Sequence, residues 1–457
     1  MTKILATFWQ PMIGNDCNNL MCYYESFAHE LETFGNKVLL LNKALFSNTY
    51  FEPTVINKEY LVEKVKCYNP DLIIAFNNQV FDGLLENTNC PILLFDADAS
   101  YLFSSKECIK KYIDRYYMVT HYDGWENSYS ELGFSKNQIC AIHMATSLKN
   151  ENKLQDKNIS FIGTKFLGTL TPNLKNLINN NGLNVYKMLM EFWQTKNFNY
   201  EELMQKYCSG FEYNDFDIAY IFDYRSYVLS SILDLGLKLY GVNWKMGEDN
   251  NIALMSAFDE TPKFSIKHNQ DIYNESKICL SISHPQTRGY AFPWRIYDIM
   301  ATNGMLISSR SDLLNEFTKG IVKIPMYESP YEARELCIKY LKEDNLRKDI
   351  VAASNEYIEK FGRWKDNFEK IESLVGVKLI NEEKLENNSF EIVQIDRNLI
   401  KDTEKKKTKY KFNLKGKIKN IINGFSLILM NLPILEFLYS KKIKEKIYHS
   451  INKYRGN

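Results

Sequence analysis

The sequence predicts an α/β protein: two doubly wound, Rossmann-like domains in tandem with a central cleft between them, followed by a helical C-terminal tail. Three observations predict it. Apolar runs of strand length alternate with helical patterns from the N-terminus onward, which is the rhythm of βαβ units and a parallel sheet. That rhythm restarts near residue 159. A chain of 457 residues also exceeds what one hydrophobic core fills, so a division into two α/β domains is natural.

The first domain is expected over residues 1–150. Its strands fall at 4–9, 37–41, 71–76, 91–95 and 116–120, each a short apolar run bounded by polar residues. Helical patterns occupy 18–34 and 58–67, with a short helix near 81–86. The second domain, 151–375, opens with ISFI at 159–162, and a helical stretch over about 182–208 reads as an insertion. A helix at 225–235, a strand at 238–240, a helix at 271–276 and a strand at 277–283 follow. Residues 294–301 place Ile296, Ile299 and Met300 on one helical face, Asn303-Gly304 stops that helix, and 305–308 starts the next strand. A strand at 321–324 and long helices over 330–373 close the domain. Residues 376–409 turn polar and read as a linker with one strand at 389–395, and 410–457 form a basic amphipathic tail.

Composition excludes several classes. A formal net charge of +1 argues against a nucleic-acid-binding body. That average conceals a tail, 405–457, with 14 Lys/Arg against two acids, about +12 by count. The nine cysteines are scattered and never form a CxxC pair, which argues against a disulfide framework or a zinc site and for a reducing compartment. The N-terminal residues lack the long apolar stretch of a signal peptide, and no run of about 20 apolar residues suggests a transmembrane helix.

In a parallel sheet, ligands collect outside the carboxyl ends of the strands. The loop 284–293, between a strand and a helix, is therefore where a ligand is expected. It holds His284, Gly289, Tyr290 and Pro293, and the helix behind it begins with Arg295. Gly289 and Pro293 shape the loop, and Arg295 offers a planar donor fork to a phosphate, with a surface ion pair as the plain alternative. Gly163 and Thr164 follow the first strand of this domain, where glycine lets backbone amides approach an anion closely. Lys165 and Arg225 are further phosphate candidates. Tyr240, Gly241 and Trp244, after the next strand, are placed to flank a nucleotide base, though Trp244 suits the core equally well.

The run DIYNESKICLSISHP, then GYAFPWRIYDIMATNGMLISSR, LLNEF and finally EYIEKFGRWKDNFEKI resembles the C-terminal domain of glycosyltransferases of the GT-B fold. The subgroup related to the spore-maturation protein CgeB is the nearest in pattern, and ISFIGT with Arg225 and LKLYGVNW resemble it too, so the likeness spans about 156–375. The resemblance implies a nucleotide-sugar donor site in this domain, with Asp298 in the place of the helix carboxylate that bonds the nucleotide ribose. A family-like glutamate eight residues upstream is replaced by Tyr290. His284-Pro285 is similar to a pair that contacts the nucleotide phosphate in bacterial sialyltransferases, which would imply a cytidine-monophosphate sugar; a proline ending a strand is the plainer alternative.

Asp96-Ala97-Asp98 copies the DxD of the other glycosyltransferase fold, where two carboxylates hold a divalent metal. A GT-B enzyme meets the departing phosphates with backbone and basic groups, so no metal and no cofactor is expected. An inverting reaction needs a base from the acceptor side. Asp16, in the first strand–helix loop, is the candidate, with Asp98 and His121 at later strand ends as alternatives; helix capping accounts for Asp16 as well.

In the tail, Ile418, Ile421, Ile422 and Phe425 recur at helical spacing among lysines, and an apolar stretch broken by Pro433 follows. That is the composition of an interfacial anchor on an anionic membrane, or else of helices packed on the body or on a second copy in a homodimer. The expectation is a cytoplasmic glycosyltransferase, peripheral on the inner face of the plasma membrane. It would use a nucleotide-sugar donor and a saccharide or lipid-linked acceptor in bacterial cell-surface glycan synthesis. A catalytically inactive saccharide- or partner-binding protein on the same fold is the alternative.

Overall fold

The strands form where apolar residues run without alternation, because both faces of each sheet are covered. The computed structural model describes residues 1–10, 20–97, 100–121, 129–165, 172–195, 200–211, 221–241, 244, 252–261, 263–283, 292–382 and 390–394. Strands β1 (Lys3–Phe8), β2 (Lys37–Asn42), β3 (Leu72–Phe76), β4 (Ile92–Phe95), β5 (Tyr116–Thr120) and β6 (Ile139–Ala141) belong to the first domain. The second holds β7 (Lys157–Ile162), β8 (Leu237–Tyr240), β9 (Ser276–Ser281), β10 (Met305–Ser309) and β11 (Met326–Tyr327), and β12 (Glu391–Ile392) comes last.

The first sheet runs β12-β2-β1-β3-β4-β5-β6 and the second β11-β10-β9-β7-β8, every neighbouring pair parallel. The strand order reverses between β1 and β3 in one sheet and between β7 and β9 in the other. These are the topological switch points where α/β sheets open a crevice. Each sheet buries an apolar cluster on both faces. The insertion is two helices, Pro172–Thr195 and Tyr200–Cys208, around a small core of their own that includes Leu177, Met188, Phe192 and Leu203.

Three expectations shift. The strand expected at 321–324 lies instead at Met326–Tyr327, where Met326 and Tyr327 align with Ser308 and Ser309. Val322 and Ile324 bury their side chains without joining the sheet. No strand is expected at β6, a three-residue edge strand whose Ile139 and Cys140 are partly buried and whose Ala141 is exposed. Finally, the chain returns to the first domain earlier than the expected linker. Helix Trp364–Val375 buries Trp364, Phe368 and Ile371 against Phe27 and the first sheet, and β12 adds to β2 through the register Glu391↔Leu39. Leu379, inside the stretch read as linker, is fully buried.

The chain thus crosses between domains twice, and the two crossings are bonded to each other. Thr146 N–H donates to Gly362 O at 2.9 Å, and Arg363 Nη1 donates to Thr146 O and Leu148 O at 2.9 and 2.7 Å. Helix Cys22–Thr33 of the first domain also meets the second: Cys22 N–H donates to Phe264 O, and Glu25 accepts from Ile266 N–H at 2.6 Å. Among the described residues no helix is long and apolar enough to cross a membrane.

Candidate functional site

The second sheet's switch point lies between the ends of β7 and β9, and the residues there are held by short-range necessity. Gly241 has φ of +116°, and a Cβ on it would sit 2.1 Å from Gly163 O, so only glycine permits this approach of the β7 and β8 ends. Gly163 in turn donates its N–H to Tyr240 O at 3.1 Å and accepts from Trp244 Nε1 at 2.9 Å. Trp244 is 2 % exposed and packs in the core of this sheet, meeting Phe161 at a steep interplanar angle. Tyr240 is likewise buried, with Lys263 Nζ 5.4 Å from its ring.

Two guanidinium groups converge on one aromatic ring here. Arg225, at the start of helix Tyr224–Ser231, lies 5.4 Å from the Phe161 ring centre and Arg295 lies 5.5 Å from it. Arg225 is buried and its fork is taken by backbone: Nη1 donates to Thr164 O and Nη2 to Ile282 O at 2.8 Å. It therefore clamps the ends of β7 and β9 together. Burial and the neighbouring Arg295 hold its pKa well below the usual arginine value. Lys165, 6 % exposed, has its ammonium 3.8 Å from Asp223.

Arg295 is different. Its Nη1 is buried and makes no hydrogen bond, and a methyl placed on Gly163 would lie 3.5 Å from that nitrogen. Burial lowers its pKa as well. The cations Arg225, Arg295 and Lys165 face two carboxylates, Asp223 and Asp298. One positive charge is left over among the described residues, and the unbonded Nη1 marks where it is. A buried ionic donor without a partner costs several kcal/mol in an isolated protein, roughly 1–3 for the unmade bond alone. An anion relieves that cost. The hydroxyls of Ser281 and Ser283, at the end of β9, are also buried and unbonded, and Ser283 N–H donates to Ser309 Oγ at 2.9 Å.

Pro293 occupies the first turn before helix Arg295–Met300, accepting from Ile296 N–H at 3.0 Å. Asp298, 5 % exposed, does not present its carboxylate to the crevice. Oδ1 accepts from Thr146 Oγ1 at 2.6 Å and Oδ2 lies 3.9 Å from Cys22 Sγ, both groups outside the second domain's sheet. Burial pushes the pKa of Asp298 up to about 6, opposed by Thr146 and Arg295.

On the acceptor side, His121 is 6 % exposed with its ring packed 4.9 Å from Trp294 and 5.5 Å from Phe95. Burial lowers its pKa to about 4, which makes it a weak base. Asp96 is fully buried and accepts from Tyr129 and, at 3.4 Å, from Thr120. It is a structural carboxylate of the first sheet, and among the described residues no cluster of three metal-ligating side chains occurs. Asp16, Asp98, His284, Gly289 and Tyr290 lie outside the described residues.

Sequence reasoning thus brought Gly163, Thr164, Arg225, Gly241 and Arg295 to one place, and missed Phe161, Ser281, Ser283 and Thr146. Phe161 sits inside ISFIGT, but nothing in an apolar strand marks one ring as the floor for two arginines.

Residues 225–373 match a family described as glycosyl transferase-like. No curated protein matches the chain. Among solved structures it resembles Anabaena HepE in complex with UDP and glucose, at 11 % identity and a TM-score of 0.41, with 82 % of this chain and all 100 % of the other covered. Sucrose-phosphate synthase from Thermosynechococcus elongatus gives 12 % and 0.45, covering 82 % and 98 %. The T4 phage β-glucosyltransferase with its UDP-glucose substrate gives 10 % and 0.43, covering 82 % and 100 %.

Proposed function

We propose that this chain, a glycosyltransferase of the GT-B fold by its glycosyl transferase-like domain and its two tandem parallel sheets, binds the phosphates of a nucleotide-activated sugar at the β7/β9 switch point. The observation that carries the reading is Arg295 Nη1, a buried donor without a partner beside Gly163, in a cluster with one positive charge in excess among the described residues. A nucleoside diphosphate supplies the missing acceptors and the missing charge. Arg225 makes that site rigid by holding the two strand ends in register, so the field is in place before the substrate arrives.

The chemistry follows from the placement. An acceptor hydroxyl attacks the anomeric carbon, the bond from that carbon to the phosphate oxygen breaks, and the negative charge that collects on the departing phosphate is met by Arg295. If the configuration inverts, the hydroxyl proton passes to a carboxylate of the first domain, Asp16 or Asp98, since His121 is buried and weakly basic. No metal takes part in this scheme, because the phosphate charge is met by the protein's own cation.

The acceptor we assign is a saccharide or lipid-linked glycan of a bacterial cell surface, with residues 405–457 holding the enzyme to an anionic cytoplasmic leaflet. The support for this last step is compositional: 14 basic residues against two acids, with an apolar stretch between the basic clusters. The discriminating experiment titrates UDP, GDP, ADP and CMP into the protein and follows hydrolysis of the matching sugar donors. Binding of a diphosphate and slow release of its sugar support the reading. Preference for the monophosphate would favour a cytidine-monophosphate sugar, and no binding of any nucleotide would leave a non-catalytic saccharide-binding protein.

A further inference from the structure

We infer that the crevice of the first sheet holds a subsite for the acceptor, and that it takes a sugar ring bearing an anionic group. The inference rests on the glycosyltransferase reading for calling the ligand an acceptor, though not for the site itself. In the first sheet the order β2-β1-β3 sets the carboxyl ends of these strands side by side at the β1/β3 switch point, where a crevice opens. Lys43, just past β2, and Gln79, just past β3, meet across the end of β1: Lys43 Nζ donates to Gln79 Oε1 at 3.2 Å. Trp9 leaves β1 between them, and Lys43 Nζ lies 5.9 Å from its ring centre.

The floor of this crevice is rich in donors and poor in acceptors. Lys43 is fully buried, and its three bonds all go to neutral oxygens: Tyr50 O, Gln79 Oε1 and Ser104 Oγ, at 3.2, 3.2 and 3.1 Å. An ammonium paired with a carboxylate sits closer, at about 2.7–2.9 Å, and among the described residues Lys43 has no such pair. A lysine only donates, so Gln79 must turn its oxygen toward it, and the amide nitrogen of Gln79 is left buried with no acceptor. An anionic oxygen supplies what both groups lack. Burial lowers the Lys43 pKa to about 8, opposed through space by Glu52, Cys108 and Asp82, and burial raises the pKa of the Cys108 thiol.

The backbone is strained where it enters the crevice. Asn77 and Asn78 are consecutive residues in the left-handed region, at φ of +47° and +56°, and both are buried. Such conformations persist where surrounding bonds over-determine them, and they gather at ligand sites. Here Asn78 Nδ2 donates to Ser104 O and Ser105 O, its Oδ1 accepts from Tyr116, and Asn77 Oδ1 accepts from Ala97 N–H. This turn is what delivers Gln79 to Lys43.

Aromatic rings wall the opening. Tyr50 meets Trp9 edge-on at 5.5 Å and Phe51 at 4.9 Å; Trp9 and Tyr50 are half-buried, and Phe51 is 51 % exposed. Their segment is pinned, because Phe51 O accepts from Ser105 N–H and from Ser104 Oγ at 2.9 and 3.0 Å, and that hydroxyl also accepts from Lys43. Open rings above buried donors suit a pyranose, whose C–H face packs on an aromatic while its charged substituent reaches the floor. A uronate carboxylate and a phosphodiester offer the same oxygen charge.

The experiment screens the full chain, with and without the tightest of UDP, GDP, ADP and CMP, against matched neutral, uronate-bearing and phosphodiester-bearing glycans. Captured glycans are then titrated calorimetrically from about pH 7 to 9 into wild type, Trp9→Ala, Phe51→Ala and Lys43→Met. The subsite predicts that wild type prefers a charged glycan over its neutral match by about tenfold or more, and the tighter of carboxylate and phosphodiester identifies the source of the charge. Trp9→Ala and Phe51→Ala each weaken that glycan about tenfold, and Lys43→Met removes the preference for charge. Both glycan charges are constant over this range while Lys43 loses its proton, so the wild-type preference falls as pH rises past about 8. Nucleotide affinity stays within about twofold in every variant. Equal capture of neutral and charged glycans by wild type overturns the inference, as does a preference that survives Lys43→Met or stays flat with pH. Unchanged glycan affinity in both Trp9→Ala and Phe51→Ala overturns it too. If Lys43→Met fails to fold, the wild-type pH profile and the exposed Phe51→Ala still decide. Glycan capture without any nucleotide binding rejects the donor reading alone, and nucleotide binding with no glycan captured in either condition rejects the subsite alone.

Discussion

Replacing Arg295 by methionine should move stability and ligand affinity in opposite directions. In the free protein Nη1 of Arg295 is buried with no acceptor, and burial depresses its pKa, so the guanidinium is held at a cost. An unmade bond of this kind costs roughly 1–3 kcal/mol, and methionine of similar length removes it. Set against that gain are the contact with Phe161, 5.5 Å from the guanidinium carbon, and the attraction of Asp298. A cation over an aromatic ring contributes about 0.5–2 kcal/mol, and a thioether recovers part of it. The balance is a protein as stable as wild type or up to about 2 kcal/mol more so. Nucleotide binding loses a charge-assisted hydrogen bond, roughly 1.5–3 kcal/mol or about 10- to 150-fold in Kd. Thermal unfolding without ligand gives the first quantity and calorimetry with a nucleoside diphosphate the second. A variant that melts several degrees lower while binding the nucleotide normally would show Arg295 to be a structural cation, and the anion-site reasoning would fall with it.

Other perturbations test separate parts of the argument. Gly241→Ala forces a Cβ to within 2.1 Å of Gly163 O at a φ of +116°, so it should abolish nucleotide binding or soluble expression; Gly182→Ala, at an exposed position of helix Pro172–Thr195 with nothing within 4 Å, should raise stability by about 0.5–1 kcal/mol, and equal melting temperatures would refute the contrast. Turnover should survive EDTA, and Asp96→Asn should lower the melting temperature through its buried bonds with Tyr129 and Thr120, whereas loss of activity restored by Mn²⁺ would revive the metal reading. Deleting 405–457 should abolish sedimentation with anionic vesicles and leave nucleotide affinity unchanged, because every residue of the proposed donor site precedes 375; a truncated chain that fails to fold would show that the tail belongs to the body.

Much of this protein is written in local pattern. The apolar runs within β1, β3, β4, β7 and β10 are legible because strands covered on both faces favour apolar side chains at successive positions. The glycines at 163 and 241 and the arginine at 295 stand at strand ends and a helix start, places where sequence alone implies an unusual backbone or a ligand. What the chain could not announce was the partner of each side chain. Arg225 and Arg295 read alike as basic residues near a phosphate loop, yet one bonds Thr164 and Ile282 through both terminal nitrogens and the other keeps Nη1 buried and unbonded. Asp298 accepts from the hydroxyl of Thr146, 152 positions away. The helix of Trp364–Val375 shows its apolar stripe in the sequence but not which of two cores will bury it. Periodicity is a property of neighbours along the chain, and it fixes elements and faces. Hydrogen-bond partners and leftover charge are properties of neighbours in space, set only when the two sheets and their crossings pack together.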